Sequence, residues 1–486
     1  MPAKKTKKAD KKILFVASEA APFLTTGGLG EVIGALPKSL CNAGKSLDVR
    51  VVLPLYEQIT QKFKDSLEFL KKIYVDLAWR HQYCGIFAAK SENVTYYFID
   101  NEYYFKRQGS YGYFDDGERY AFFCRAILDM LKVIDFIPDI IHAHDWQAAL
   151  VPIYLATSCM GKPEFKNIKT VFTIHNMQYQ GIYSMDILED VFDISYAHKH
   201  ILEFDGMINL MKGAMICANI ISTVSPTYAK EIRDPEYARG LESVTNMQAG
   251  KLRGILNGID THSYDPKNDP TIFCGYDSSH LENKLENKLG LQSLLGLQKN
   301  ENVPLIAMIT RLVDQKGMDL VLTSMDELAK LPLQLVVLGN GDRWYESCFK
   351  NFCGYFPDRI SVNLSFDHEL SKKIYAGADM FLMPSKFEPC GLGQMMAARY
   401  GAVPIVRATG GLKDSIVPYD READLGNGFS FESYSREAMM EALKAALTAY
   451  ENKDEWQRLV GRAMDSDFGW EKSALEYIEM YKDMNG

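Results

Sequence analysis

Arg311 and Lys316 stand five residues apart in Thr310-Arg311-Leu312-Val313-Asp314-Gln315-Lys316-Gly317, directly after an apolar run that reads as a strand. A bidentate guanidinium beside a point-charge ammonium suits a diphosphate, above all one that gains charge as a leaving group. Two other stretches nearly repeat one another: Thr26-Gly27-Gly28-Leu29-Gly30-Glu31 and Thr409-Gly410-Gly411-Leu412-Lys413-Asp414. Each reads as a small-residue turn that opens a helix, where the backbone can approach a ligand and unpaired N–H groups at the positive dipole end favour phosphate. A single Gly-Gly turn is most often only a tight connection. Its repetition in the two halves of the chain points to two similar lobes closing on one phosphorylated ligand. Glu388, in Phe387-Glu388-Pro389-Cys390-Gly391-Leu392, has three readings. It hydrogen-bonds sugar hydroxyls, stabilises an oxocarbenium-like centre, or caps the helix expected to begin near Leu392.

Histidines supply the remaining chemistry. His142 and His144 are one residue apart with Asp145 next, and His175-Asn176 close another apolar run. The imidazoles of His142 and His144 are expected on opposite faces of their strand, so they make poor partners for one ion, and no metal site is expected. The D-x-D motif Asp465-Ser466-Asp467 follows no sheet strand, which argues against metal-dependent nucleotide-sugar binding of that type. Gly28, Gly30 and Gly34 resemble a dinucleotide fingerprint, but Ser18 to Thr26 intervene after the strand, too long a loop for that motif.

The elements that must position these residues follow from hydrophobic patterning. Ile13–Ala17, Val49–Pro54, Val94–Ile99, Ile140–His144 and Thr170–His175 read as strands, with helices over Glu31–Ala43, Tyr120–Ile134 and Trp146–Thr157. After the region Gly250 to Asp260 the pattern restarts, with strands at Pro304–Ile309, Leu333–Leu338, Met380–Pro384 and Val403–Val406. Strand–helix alternation implies parallel sheets covered on both faces, and such sheets bind ligands beyond their carboxyl ends. The candidate residues lie at those ends. At 486 residues, two or three domains are expected. The divisions read from the sequence are 1–12 (a basic disordered tail), 13–250, 251–455 and an end helix over 456–486.

A net charge of −9 with dispersed Lys and Arg gives no nucleic-acid footprint. No run of 18 apolar residues suggests a membrane span. Nine scattered cysteines without a C-x-x-C pair fit a reducing, cytoplasmic setting and disfavour zinc.

These motifs together resemble the bacterial glycogen synthases and plant starch synthases. The resemblance runs from about Ile13 to Tyr481. It rests on Ser18-Glu19-Ala20-Ala21-Pro22-Phe23, Thr26-Gly27-Gly28-Leu29-Gly30-Glu31-Val32, His142-Ala143-His144-Asp145-Trp146, Thr173-Ile174-His175-Asn176, Leu256-Asn257-Gly258-Ile259-Asp260, Ser385-Lys386-Phe387-Glu388-Pro389-Cys390-Gly391-Leu392 and Thr409-Gly410-Gly411-Leu412. It implies an α/β fold of two Rossmann-like domains facing across a cleft, the GT-B fold. It also implies transfer of glucose from ADP-glucose to the non-reducing 4-hydroxyl of an α-1,4-glucan such as glycogen, with retention and without a metal or cofactor. Arg311 and Lys316 would hold the leaving diphosphate, with N–H groups of Gly27, Gly28, Gly410 and Gly411. His175 would sit beside the reacting carbon, and Glu388 and Asn257 near the donor. Glu31 and His144 would bind glucose hydroxyls, while Asn176, Cys390, Gly391, Leu392 and Thr409 complete the substrate-binding set. In such folds the end helix crosses back to the first domain.

Two departures stand out. Thr25 occupies a position where the family usually has Lys, and Lys386 one where it usually has Arg. A relative using UDP-glucose or another acceptor, and a weakened glucan-binding homologue served by some of the 27 tyrosines, are the alternatives.

Overall fold

The structure is a computed structural model and describes residues 11–44, 47–365 and 367–484. The chain divides into two compact units, one running to Asn257 and resuming at Trp470, the other spanning Gly258–Gly469. Most of the stretch read as a tail, residues 1–10, lies outside the described residues. Lys11 and Lys12, read as part of it, instead open the first strand. The Lys11 ammonium donates to the Tyr481 carbonyl at 2.6 Å and the Lys12 N–H to the Asp139 carboxylate at 2.7 Å.

The first unit is built on a nine-stranded sheet. Its strands are β1 (Lys11–Val16), β2 (Leu47–Pro54), β3 (Glu68–Leu77), β4 (Arg80–Ser91), β5 (Val94–Asp100), β6 (Ile140–His144), β7 (Lys169–Ile174) and, later in the chain, β11 (Ile220–Thr223) and β12 (Leu252–Gly254). Between them β8 (Ile182–Ser184), β9 (Glu203–Phe204) and β10 (Met207–Asn209) form a small separate sheet. The large sheet runs β12-β11-β7-β6-β1-β2-β5-β4-β3. Every neighbouring pair from β12 to β5 is parallel, and the β5-β4-β3 edge is antiparallel. Ile13 to Ala17 are fully buried, as a central parallel strand requires. Burial is lower along the outermost strand β3, where only Val75 and Leu77 are buried.

The second unit carries β13 (Leu305–Ile309), β14 (Gln334–Leu338), β15 (Ile360–Asn363), β16 (Met380–Met383), β17 (Val403–Arg407) and β18 (Phe429–Phe431). They form one fully parallel sheet in the order β15-β14-β13-β16-β17-β18. That is the dinucleotide-fold order, with the direction of winding reversing between β13 and β16. In the first unit the reversal falls between β1 and β6. Ligands bind outside the strand ends at such reversals; His144 ends β6, and the loops there carry Glu19, Arg311 and Glu388.

The single end helix expected over 456–486 is, among the described residues, two helices, Lys453–Met464 and Trp470–Asp483. The break falls at Asp465-Ser466-Asp467-Phe468-Gly469, where the Asp467 carboxylate accepts the Gly469 N–H at 3.2 Å and competes with helical bonding. The second of these helices packs on the helix Gly28–Ala43 of the first unit. Trp146–Thr157 likewise divides into Asp145–Ala148 and Leu150–Ala156.

Candidate active site

In the first unit the ends of β1, β6 and β7 carry the site. His142 and His144 share one face of β6, contrary to the expectation from sequence, because side chains alternate with period two and residues i and i+2 point the same way. Their rings stack at 4.2 Å. His142 bonds on both sides, Nδ1 to the Tyr481 hydroxyl at 2.8 Å and Nε2 to Thr173 Oγ1 at 2.5 Å. His144 is fully buried, and its Nδ1 lies 3.0 Å from Nε2 of His175, which is half-buried. Burial pushes the His175 imidazolium down to about 3 and holds His142 and His144 neutral as well. These rings bring hydrogen-bonding capacity without charge.

Asp145, at φ +56°, turns its carboxylate back to accept the His175 N–H at 2.7 Å. It thereby fixes the loop after β7, and burial raises its own pKa to about 7. Asn176 closes the same turn, its side chain accepting the Gln178 N–H at 2.9 Å. Asn257 is buried, and its Oδ1 has no hydrogen-bond partner among the described residues.

The helix Gly28–Ala43 starts with Gly27 as its cap, a residue with no side chain to bond the first turn. A Cβ on Gly27 or Gly28 would meet nothing within 4 Å, so the space above this helix start is open. Gly30 is different, since a Cβ there would come 2.9 Å from the Thr25 methyl. Glu31 lies in the first turn. Beneath the turn the buried Glu19 carboxylate accepts the N–H and hydroxyl of Thr26 at 2.7 and 2.6 Å, and burial raises its pKa. With Thr at position 25, Glu19 forms no ion pair among the described residues.

In the second unit, Arg311 follows β13, is exposed, and its guanidinium makes no hydrogen bond or ion pair among the described residues. Surface ion pairing therefore does not account for it. Lys316 lies in the short turn Asp314–Lys316 and donates to Glu388 at 2.5 Å. The same Glu388 oxygen accepts from Ser385 Oγ at 3.0 Å. Glu388 does not cap the following helix Gly393–Arg399, which has Leu392 at its cap position and no side-chain cap bond. Cys390, Gly391 and Leu392 form the turn into that helix. The helix Gly410–Ser415 is capped by Thr409, and its Gly411 N–H donates to the carbonyls of Glu388 and Pro389, both at 3.2 Å. The second glycine pair thus grips the Glu388 loop directly. Lys386 keeps a cation over the Tyr434 ring at 5.7 Å, and the Arg407 guanidinium donates to the Lys386 carbonyl.

Each unit therefore assembles its own subset: His144, His175, Asn176, Asn257 and Gly27-Gly28-Glu31 in one, Arg311, Lys316, Glu388, Cys390-Gly391-Leu392 and Thr409-Gly410-Gly411 in the other. Sequence reasoning gave no role to Glu19, Asp145 and Ser385. For Asp145 the available signal was an acidic residue directly after a strand-ending histidine.

Residues 12–247 match the starch synthase catalytic domain model, and residues 296–459 match glycosyl transferases group 1. The glycogen synthase of Clostridium botulinum strain Alaska E43 is 48% identical over 98% of this chain and 99% of its own length. The chain belongs to the glycogen and starch synthase family. Its similarity to the Alkaliphilus metalliredigens glycogen synthase is 47% identity over 97% of the chain and the whole of that protein. Among solved structures, the catalytic domain of Arabidopsis thaliana starch synthase IV, bound to ADP and acarbose, superposes with a TM-score of 0.90. It is 34% identical and covers 97% of this chain and 99% of that one. A sucrose-phosphate synthase from Thermosynechococcus elongatus shares the fold at 17% identity and a TM-score of 0.61. The fold is the two-domain α/β architecture of GT-B glycosyltransferases, and the family's chemistry is glycosyl transfer. Among the described residues no helix is long and apolar enough to cross a membrane, and all nine cysteines are free thiols.

Proposed function

We propose that this chain is a retaining glucosyltransferase, a glycogen synthase that moves glucose from ADP-glucose onto the non-reducing end of an α-1,4-glucan. The observation that carries the reading is the loop after β13, where the Arg311 guanidinium, unpaired among the described residues, precedes the turn that holds Lys316, whose ammonium already holds Glu388. Two cations on the loop that ends the strand at the winding reversal are suited to a diphosphate that gains negative charge as it leaves. The open helix start at Gly27-Gly28 offers N–H groups to the same end.

The bond from the anomeric carbon to the diphosphate breaks, and the acceptor oxygen forms its bond on the same face. The acceptor's proton passes to the departing phosphate oxygen, so retention needs no separate nucleophile. Glu388, fixed by Lys316 and Ser385, stabilises the positive charge that develops on the sugar. His175 contributes an uncharged hydrogen bond beside the reacting carbon. Asn176, Asn257, Glu31 and the Cys390-Gly391-Leu392 turn serve sugar and phosphate contacts. The nine free thiols fit a reducing, cytoplasmic setting.

Purified protein is mixed with glycogen and either ADP-glucose or UDP-glucose, and nucleotide release is followed with and without glycogen alongside glucose incorporation. Glycogen-dependent turnover with ADP-glucose, abolished in Glu388→Ala, is the expected result. A clear preference for UDP-glucose would replace the donor. No incorporation from either donor by folded protein would overturn the reading.

A further inference from the structure

Among the described residues His144 has one polar partner, His175. The His144 ring is stacked on Phe15 at 5.2 Å and on His142 at 4.2 Å, with planes 18° and 30° apart. His142 cannot help it, because both of its ring nitrogens already bond to hydroxyls. The Thr173 hydroxyl that holds His142 is itself 2.5 Å from Ser222 Oγ, which closes that chain. Nδ1 of His144 therefore faces Nε2 of His175 at 3.0 Å, while Nε2 of His144 is buried without a partner among the described residues.

One proton lies between the two rings, and only two arrangements are possible. If His175 donates from Nε2, His144 must carry its own proton on Nε2, where it becomes a buried N–H with no acceptor. If His144 donates from Nδ1, its Nε2 is a bare lone pair. Orphaned buried N–H groups are the rarer defect, so the second arrangement prevails. His175 Nε2 then accepts, and the remaining proton of His175 sits on Nδ1.

We propose that His144 is a positioning residue that sets the tautomer of His175, so that His175 offers an Nδ1–H to an oxygen of the sugar donor. The bond from Asp145 to the His175 N–H fixes the backbone of the same residue, and the two together define both the place and the polarity of that donor. His144, fully buried, does not reach the glucose hydroxyls itself. The consequence for catalysis rests on the glucosyl-transfer reading above; the tautomer does not.

The full chain is labelled with [15N]histidine, and two-bond 1H–15N correlations are recorded without substrate, the His175 signals being assigned against His175→Gln. The expected pattern for His175 is protonated Nδ1 and bare Nε2, and the reverse pattern overturns the inference. His144→Leu removes the donor. It mixes the His175 tautomers and lowers kcat about 10- to 100-fold, with KM for ADP-glucose moved by less than about threefold. His144→Asn keeps an N–H near the position of Nδ1 and restores the Nδ1–H tautomer and most of kcat. A folded His144→Asn that restores neither, or a His144→Leu that leaves the tautomer unchanged, overturns the inference. Wild-type protein that shows the Nδ1–H tautomer yet transfers glucose from no donor sinks the glucosyl-transfer reading and leaves the positioning inference standing.

Discussion

At the scale of single residues, the site separates groups held by the fold from groups held in reserve. Arg311 is exposed and unpaired among the described residues, so truncating it removes little from the folded state. Arg311→Ala is expected to change unfolding free energy by no more than about 0.5 kcal/mol. Losing a charge-assisted contact to the leaving group raises the barrier by roughly 2.7–4 kcal/mol and lowers kcat about 100- to 1,000-fold. Urea titration and steady-state kinetics on the same preparation check both numbers. An Arg311→Ala chain of wild-type activity would remove the diphosphate assignment. Glu388 stands at the other extreme, since its carboxylate is buried and its Lys316 partner would be left unpaired by truncation. Lower activity in Glu388→Ala is therefore informative only when its stability is measured beside it.

At the scale of elements, the two glycine pairs look alike in sequence and do different work. Gly410 has φ +45°, and a Cβ there would lie 1.9 Å from the Glu388 carbonyl, so Gly410→Ala must push the Glu388 loop aside. Gly28 faces open space, so Gly28→Ala is expected to fold with near wild-type stability and to bind the donor more weakly, as isothermal titration with ADP-glucose would register. If Gly28→Ala binds the donor normally, the open helix start is not a phosphate site. Spacing alone cannot reveal this difference, because it depends on what the fold brings opposite each turn. The parallel cores were legible: Ile13–Ala17, Ile140–His144 and Leu333–Leu338 are short apolar runs with only one sensible placement. The β3-β4 hairpin was not, since Glu68–Leu77 is largely exposed and carries little hydrophobic signal. The shared face of His142 and His144 was available from strand periodicity and was misread.

The helix Glu282–Leu294 shows another consequence of what faces an element. Its Lys284 ammonium is buried beside a cavity of about 480 Å³ and donates at 2.8 Å to the carbonyls of Ala376 and Tyr400, which end two neighbouring helices. Burial is the largest influence on this amine and brings its pKa from 10.5 down to about 7, with Asp379 opposing and Lys288 assisting. Since the unfolded chain holds this proton up to about pH 10.5 and the folded chain only to about 7, unfolding takes up a proton between those values. Stability from this group therefore rises with pH across that window and is lowest below pH 7. Lys284→Met is expected to flatten that rise and, by leaving carbonyls unpaired, to cost about 1–3 kcal/mol at high pH. Urea midpoints from pH 6 to pH 10 test it, and an undiminished slope in the variant would assign the dependence elsewhere.

At the scale of the whole molecule, the chain finishes where it started. The first unit is closed by Trp470–Asp483, a segment more than two hundred residues beyond the rest of that unit, and its composition alone reads as an ordinary amphipathic end helix. Contacts formed only after folding show what it does. Ser473 Oγ donates to the Leu256 carbonyl, Lys11 reaches the Tyr481 carbonyl, and the Tyr481 hydroxyl meets His142 at the centre of the sheet, 339 residues away in sequence. Tyr481 and His142 are both excluded from solvent, so removing the hydroxyl leaves an imidazole nitrogen that water cannot satisfy. Tyr481→Phe is expected to lower stability by about 1–3 kcal/mol and to speed hydrogen exchange in Ile140–His144, the strand whose histidine has lost its partner. Fast exchange confined to the end helix itself, with β6 as protected as before, would mean that the helix covers the sheet without bracing the histidines. Acceleration that includes β6 would tie the last helix to the residues that order His175, through His142 and the His144 ring stacked on it.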